Sequence, residues 1–308
     1  VKKYYKKLLV SFVALLIVGL IVLGARSLNS VHQSNGQVLQ VVAGENFWGS
    51  LVSQIGGSKV KVDSIVSDPN ADPHEYETNN ADARAFATAN YVILNGAGYD
   101  SWGDKLIAAS PNSKRLVLNV ADLLGKKDGG NPHFWYSPSY VNTTIKQMEL
   151  NLVKIDPGDT NYFEQNLTKL QLALQPYQSR ITYIKEHYAG EEVAATEDIF
   201  QYLASAAGLD LISPPAFIQA VAEGNDPPTN SVVEFQSQLD SGQVKLMVYN
   251  EQTVTPLTNN MKILATEKGI PIVGVTETIQ PPNTLFQDWM NSELIDLQDA
   301  LNAQDLGQ

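Results

Sequence analysis

Residues 38–66 read VLQVVAGENFWGSLVSQIGGSKVKVDSIV, and this stretch decides the fold. Val38 to Ala43 is short and rich in β-branched residues, the pattern of a strand. Glu45-Asn46 then precedes Phe47, Trp48, Leu51, Val52 and Ile55, which fall at helical spacing and stop at Gly56-Gly57. Val60 to Val66 returns to alternation and a second strand. Beyond it, Ser67 to Glu77 (SDPNADPHEYE) is a loop by its Pro, Asp and Asn content. Asn79-Asn80 can cap a helix over Ala81 to Ala89, and Tyr91 to Leu94 forms a strand closed by Asn95-Gly96. The order βαβαβ predicts an α/β layer architecture with a mainly parallel sheet.

The same grammar continues outward. Leu116 to Val120 precedes a polar loop, Lys126 to Pro138 (KKDGGNPHFWYSP). Helical stretches follow over Tyr140 to Lys154 and Asp159 to Tyr188. In the second, Phe163, Leu167, Leu170, Leu174, Ile181 and Ile184 fall near one stripe, and Pro176 should kink it. The pattern then restarts. Strands are expected at Val193–Thr196, Leu209–Ile212, Leu246–Tyr249 and Ile270–Val275. Helices are expected at Ile199–Ala207, Ser231–Leu239, Val254–Lys268 and Leu285–Leu301. The chain therefore divides into two α/β lobes, 38–158 and 189–308, joined by the helix of 159–188.

Residues 1–37 are of another kind. Lys2, Lys3, Lys6 and Lys7 precede Leu8 to Ala25, which carry no charge. A basic start and an apolar run read as an export signal. A helix of that length is roughly 27 Å long, close to the hydrocarbon thickness, so the segment can equally serve as a membrane anchor. The lysines place its N-terminal side in the cytoplasm and the body outside. Ser27 to Gln37 reads as a tether. Five of the 21 Lys and Arg and none of the 33 Asp and Glu lie in 1–37, so the body carries 16 against 33, a formal −17. That argues against nucleic acid or an anionic membrane surface as a partner of the body and mildly favours cations. Cysteine is absent, so any metal must be held by His, carboxylate, carbonyl or water.

Four histidines are present. His32 lies in the tether, and His187 near a helix C-terminus, where an imidazole suits the helix dipole. His74 and His133 each follow a proline in a polar loop, in the echoed strings Asp72-Pro73-His74 and Asn131-Pro132-His133. In open α/β sheets ligands bind beyond the carboxyl ends of the strands, which is where these loops belong. In the second lobe Glu197 follows the strand ending at Thr196, and Glu277 follows that ending at Val275. Two imidazoles and two carboxylates would suit manganese, iron or zinc. Glu45, Asp72, Glu75, Glu77 and Asp198 could claim the same roles on composition.

Several short strings, taken in order, carry a resemblance. They are Ala71-Asp72-Pro73-His74-Glu75-Tyr76-Glu77, Asn95-Gly96 with Trp102, and Asn131-Pro132-His133-Phe134-Trp135-Tyr136-Ser137-Pro138. After the long helix come Glu197-Asp198-Ile199-Phe200-Gln201-Tyr202, Tyr249-Asn250-Glu251 and Val275-Thr276-Glu277. The chain resembles the manganese/zinc group of ABC-transporter substrate-binding proteins over essentially all of residues 38–305. The resemblance implies two α/β lobes linked by one long rigid helix, with a divalent metal between them and a membrane permease as partner. It implies His74, His133, Glu197 and Glu277 as metal ligands. Glu277 stands where the group usually has Asp, and Glu197 at the third position tilts the expectation toward Mn2+ over Zn2+. Ala25 stands where a lipoprotein signal would have Cys, so lipidation at that site is impossible. A retained anchor, or cleavage near Gly24 or Ala25, is expected, with an extracytoplasmic and monomeric body.

Three other readings compete. A zinc carrier on the same fold differs only in cation. A metallohydrolase would need an open metal position, and the chain has no HExxH, GxSxG or GxxxxGK[ST] string. A surface adhesin would bind its partner independently of His74.

Overall fold

The computed structural model describes residues 38–68 and 76–306, with side chains to 303. The expected signal, anchor and tether of 1–37 lie outside the described residues, as does His74. Among the described residues no helix is long and apolar enough to cross a membrane.

Strand β1 (Leu39–Glu45) leads into helix α1 (Asn46–Gly56) and β2 (Val60–Val66), followed by α2 (Asn80–Thr88) and β3 (Tyr91–Leu94). Helix α3 (Ser101–Ala109), β4 (Leu116–Asn119) and α4 (Val120–Leu124) complete the first sheet's run. The four strands lie in the order β2-β1-β3-β4 and all pair in parallel, with Val41 opposite Val62 on one side and Tyr91 on the other. Asn79 caps α2 as expected: its Oδ1 accepts from Ala81 N at 2.7 Å, while Asn79 N donates to Asp82 Oδ2 at 2.7 Å. Such a reciprocal box satisfies two of the amides a helix start leaves orphaned.

Three helices link the sheets: α5 (Pro138–Ile155), α6 (Thr160–Ala173) and α7 (Gln175–Tyr188). The expected helix of 159–188 is present but breaks at Leu174, just before Pro176. Proline has no N–H to give, and its ring clashes with the carbonyl four residues back. The second sheet holds β5 (Glu192–Ala195), β6 (Asp210–Leu211), β7 (Met247–Asn250) and β8 (Ile272–Val275), in the order β6-β5-β7-β8 and again all parallel. Its helices are α8 (Gln201–Ala207), α9 (Pro215–Ala222), α10 (Thr229–Asp240), α11 (Pro256–Glu267) and α12 (Phe286–Leu306). Each sheet thus runs 2-1-3-4 in its own strand count.

Alternation along the central strands shows where the core lies. Val41, Ala43, Tyr91 and Ile93 from the first sheet and Val193, Ala195, Leu246 and Val248 from the second enter one apolar cluster shared by both lobes. The intervening residues face outward. Val42, Val92 and Leu94 pack with Phe86, and Ala194, Met247 and Tyr249 pack with Phe217 and Phe235. A period of two on a sheet covered on both faces produces this partition. Helix α12 packs on α7, β8 and α1, so it touches both lobes. Polar stitches follow the same seam: Ile279 N donates to Asn46 Oδ1 at 3.0 Å, Phe286 N to Ser50 Oγ at 3.1 Å, and Gln287 Nε2 to Gln54 Oε1 at 2.9 Å.

Candidate metal centre

The chemistry-bearing groups gather at the carboxyl ends of the parallel strands. Glu45 ends β1 and Asn95 follows β3; Glu197 lies two residues past β5, Asn250 ends β7 and Glu277 lies two past β8. Parallel strands point these ends the same way, which is why open α/β sheets bind ligands there.

His133 arrives from a loop, and packing fixes it. Phe134, Trp135 and Tyr136 follow it in one turn of 3-10 helix and are fully buried. Trp135 stacks on Phe47 at 3.9 Å between ring centroids and meets the His133 ring edge-on at 5.2 Å. Asn131 Oδ1 accepts from His133 N at 2.9 Å and lies 2.9 Å from its Nδ1; Asp198 Oδ1 lies 3.1 Å from the same nitrogen. Acceptors at Nδ1 favour its protonated tautomer, which leaves the Nε2 lone pair for a cation.

Nε2 faces the second lobe. Glu277 Oε1 is 3.3 Å away and Glu197 Oε1 3.8 Å away. One ligand atom from each of His133, Glu197 and Glu277 lies within 4.8 Å of the others, and the three residues are 0–1 % exposed. Asn250 Nδ2 donates to both carboxylates, to Glu197 Oε1 at 2.6 Å and to Glu277 Oε1 at 2.7 Å. Its own carbonyl accepts from Gln252 N at 3.0 Å, which orients the amide. The Tyr99 hydroxyl donates to Glu277 Oε2 at 2.9 Å across the lobes. Glu197 Oε2 is buried without a hydrogen-bond partner among the described residues. A cavity of about 450 Å³ opens beside the cluster, between Gly98–Tyr99 and Asn131 of one lobe and Asp198 and Glu223 of the other.

Burial, then the neighbouring Glu277, raise the Glu197 pKa well above the carboxylate range, against the pull of His133 and Asn250. Burial opposes a charge on His133, yet Glu277 and Asp198 outweigh it and hold the imidazole well above its usual value. Glu45, below the cluster, is raised by burial, by Asp100 and by Glu277. Asp100 is pushed up to about 6 by burial, although the amides of Gly96 and Asn95 oppose the shift. Buried carboxylates at this density hold protons or a cation, since an uncompensated buried charge is costly. The donor set of one imidazole and two carboxylates fits a divalent metal as cargo.

Of the four expected ligands, the structure brings His133, Glu197 and Glu277 together; His74, with Asp72 and Glu75, lies outside the described residues. Glu77 is exposed, Asp198 lies behind His133, and Glu45 is buried but outside the three-residue cluster. His187 Nδ1 lies 2.8 Å from Tyr183 O in the last turn of α7. Sequence reasoning assigned no role to Tyr99 or Asn250. In the structure Tyr99 follows Gly96, Ala97 and Gly98, three successive residues of positive φ at 76, 55 and 86°. Such a turn departs from any strand or helix and aims the next side chain elsewhere.

A family profile described as ZnuA, zinc-uptake complex component A, periplasmic, matches residues 41–300. The chain belongs to the ZnuA family. Among its relatives, a metal ABC transporter substrate-binding lipoprotein of Lactococcus lactis subsp. lactis is 25 % identical over 87 % of this chain and 87 % of its own length. The manganese ABC transporter substrate-binding lipoprotein PsaA of Streptococcus pneumoniae is 26 % identical over 69 % of this chain and 72 % of its own. The ZnuA-type fold is also that of the substrate-binding protein FpvC from Pseudomonas aeruginosa, solved with Mn2+. Its TM-score is 0.72 at 20 % identity, over 87 % of this chain and 99 % of that one. A crystal structure of ZnuA superposes with a TM-score of 0.68 at 22 % identity, covering 86 % of this chain and 98 % of that one.

Proposed function

We propose that this ZnuA-family chain captures a divalent transition metal, manganese or zinc, outside the cytoplasm and delivers it to the permease of an ABC importer. The observation that carries this is the buried cluster of His133 Nε2, Glu197 Oε1 and Glu277 Oε1, whose charges a divalent ion would balance. His74 is the fourth ligand in this reading. The names of the relatives support a carrier in place of an enzyme. The two sheets support lobes at 38–158 and 189–308 about the helices of 159–188.

Capture is an exchange of protons for metal. The ion loses water, displaces the protons held on the imidazole and carboxyls, and is clamped by groups from both lobes. Glu197 at the third position, with carboxylates supplying half of the set, leans the site toward manganese. The test is a thermal melt of the metal-stripped body with Mn2+ and Zn2+ added separately. A ligand that binds only the native state at about 100 times its dissociation constant adds roughly 2.7 kcal/mol. A clear shift with either ion supports the proposal. No shift with any divalent metal overturns it.

A further inference from the structure

The two glutamates of the cluster are held differently. Both oxygens of Glu277 accept hydrogen bonds, Oε1 from Asn250 at 2.7 Å and Oε2 from the Tyr99 hydroxyl at 2.9 Å. Glu197 accepts from Asn250 through Oε1 at 2.6 Å, while its Oε2 is buried with no hydrogen-bond partner among the described residues. One carboxylate is tied at both ends and the other at one.

Denticity follows from this. Oε1 of each glutamate faces His133 Nε2. For Glu277 to chelate through both oxygens its carboxylate must turn to bring Oε2 toward Nε2, which carries that oxygen away from the Tyr99 hydroxyl it now faces; accepting a bond does not by itself bar ligation, since each carboxylate oxygen has two lone pairs. A hydrogen bond to a charged group contributes about 1.5–3 kcal/mol, roughly tenfold or more in an equilibrium constant. Tyr99 itself is well fixed. It is buried, its ring lies 5.3 Å from Trp135, and it comes from the opposite lobe, 178 residues away in the chain. Glu197 carries no such restraint on Oε2.

We infer that Tyr99 is a positioning residue that sets cation specificity: its hydroxyl holds Glu277 to one-oxygen ligation and so limits the number of ligands the site presents. This rests on the metal-carrier reading above. Zinc is content with four ligands, whereas manganese, a harder ion, takes six oxygen-rich ones. The tie from Tyr99 therefore disfavours manganese relative to zinc, against the lean of the carboxylate-rich donor set. Asn250 does not discriminate, since it donates to both glutamates alike.

The experiment measures dissociation constants for Mn2+ and Zn2+ by competition calorimetry on the full chain, wild type beside Tyr99→Phe and Tyr99→Leu. A purely structural role for Tyr99 would weaken both ions together and leave their ratio unchanged. The expected result is a ratio moved toward manganese by about tenfold in both variants, the weight of a hydrogen bond to a carboxylate. Tyr99→Phe keeps the ring and its packing, and Tyr99→Leu, also lacking the hydroxyl, must move the ratio the same way. A ratio within twofold of wild type in a folded variant, or one moved toward zinc, overturns the inference while the carrier reading stands. A wild type that binds neither ion overturns both.

Discussion

The first sheet, β2-β1-β3-β4, and the second, β6-β5-β7-β8, share strand order and parallel sense, but they supply the centre in different ways. The second lobe places Glu197 and Glu277 just past strand ends and ties them with Asn250, itself a strand residue. The first lobe sends His133 on a loop, held by buried aromatics and by Asn131. A carboxylate at a strand end inherits its place from backbone pairing; an imidazole on a loop has its place made by side-chain packing. The second lobe is therefore a preset acidic floor, and the first brings the neutralising group to it.

The most severe way to break this division is His133→Ala. It removes the proposed ligand that the aromatic and amide contacts of the first lobe hold in place. We expect the metal-induced melting shift, about 2.7 kcal/mol at saturating metal, to vanish for both Mn2+ and Zn2+. A variant that keeps half of that shift would show that the strand-end carboxylates suffice without the loop.

Neutralising the acidic floor should separate binding from stability. In Glu197→Gln the shape and the bond from Asn250 remain, but the side chain no longer has to take up a proton in order to be buried beside Glu277. The metal-free melting temperature is expected to rise, by about 1 kcal/mol or more of stability, while the response to metal falls at least tenfold. A metal-free protein that melts lower would mean that the attraction of Glu197 to His133 outweighs burial and the repulsion from Glu277.

Proton content sharpens the contrast further. Behind the floor, burial pushes Glu293 up to about 8, although Tyr136 and Thr276 oppose it with hydrogen bonds. A carboxyl raised on folding keeps a proton that the unfolded chain has shed. Its stabilising effect is present below its ordinary value and is lost as pH rises through the folded one. Metal-free stability should thus decline between about pH 5 and 8, at up to about 1.4 kcal/mol per pH unit for Glu293 alone. Glu293→Gln should flatten that decline. The stabilisation added by metal should grow over the same window, because ligands must shed protons to bind. Melts across the window, with and without Mn2+, test both slopes; parallel slopes would sink the exchange of protons for cation.

The smallest effect lies away from the floor. Asn79→Ala removes the reciprocal cap of α2 and should cost about 1 kcal/mol of stability. Metal dissociation constants should stay within twofold of wild type. A larger change would mean that the start of α2 takes part in holding the loop before it.

The strand-end acids were legible because period-two apolar runs end visibly, at Thr196 and Val275, and the next acid is then placed by simple counting. The break near Pro176 was legible for the same local reason. Helices α3 and α9 were not assigned. In α3 the apolar stripe is short, Trp102, Leu106 and Ile107 against Phe86, with Gly103 inside it, and α9 is a short apolar run between prolines and a glycine. Asn250 and Tyr99 were invisible as site residues for a different reason. Asn250 meets Glu197 across 53 residues of chain and Tyr99 meets Glu277 across 178, so no local pattern encodes either contact.

Helix α12 has a consequence in time. It packs on α7, β8 and α1, and the amides of Ile279, Phe286 and Gln287 close the seam to the first lobe. Glu277 lies just ahead of these residues, so the last of the proposed ligands and the last clasp are made together. A ribosome will have delivered His133 and Glu197 long before either exists. The nascent chain is thus a poor competitor for metal through most of its synthesis, and the cage becomes whole only when its final helix docks.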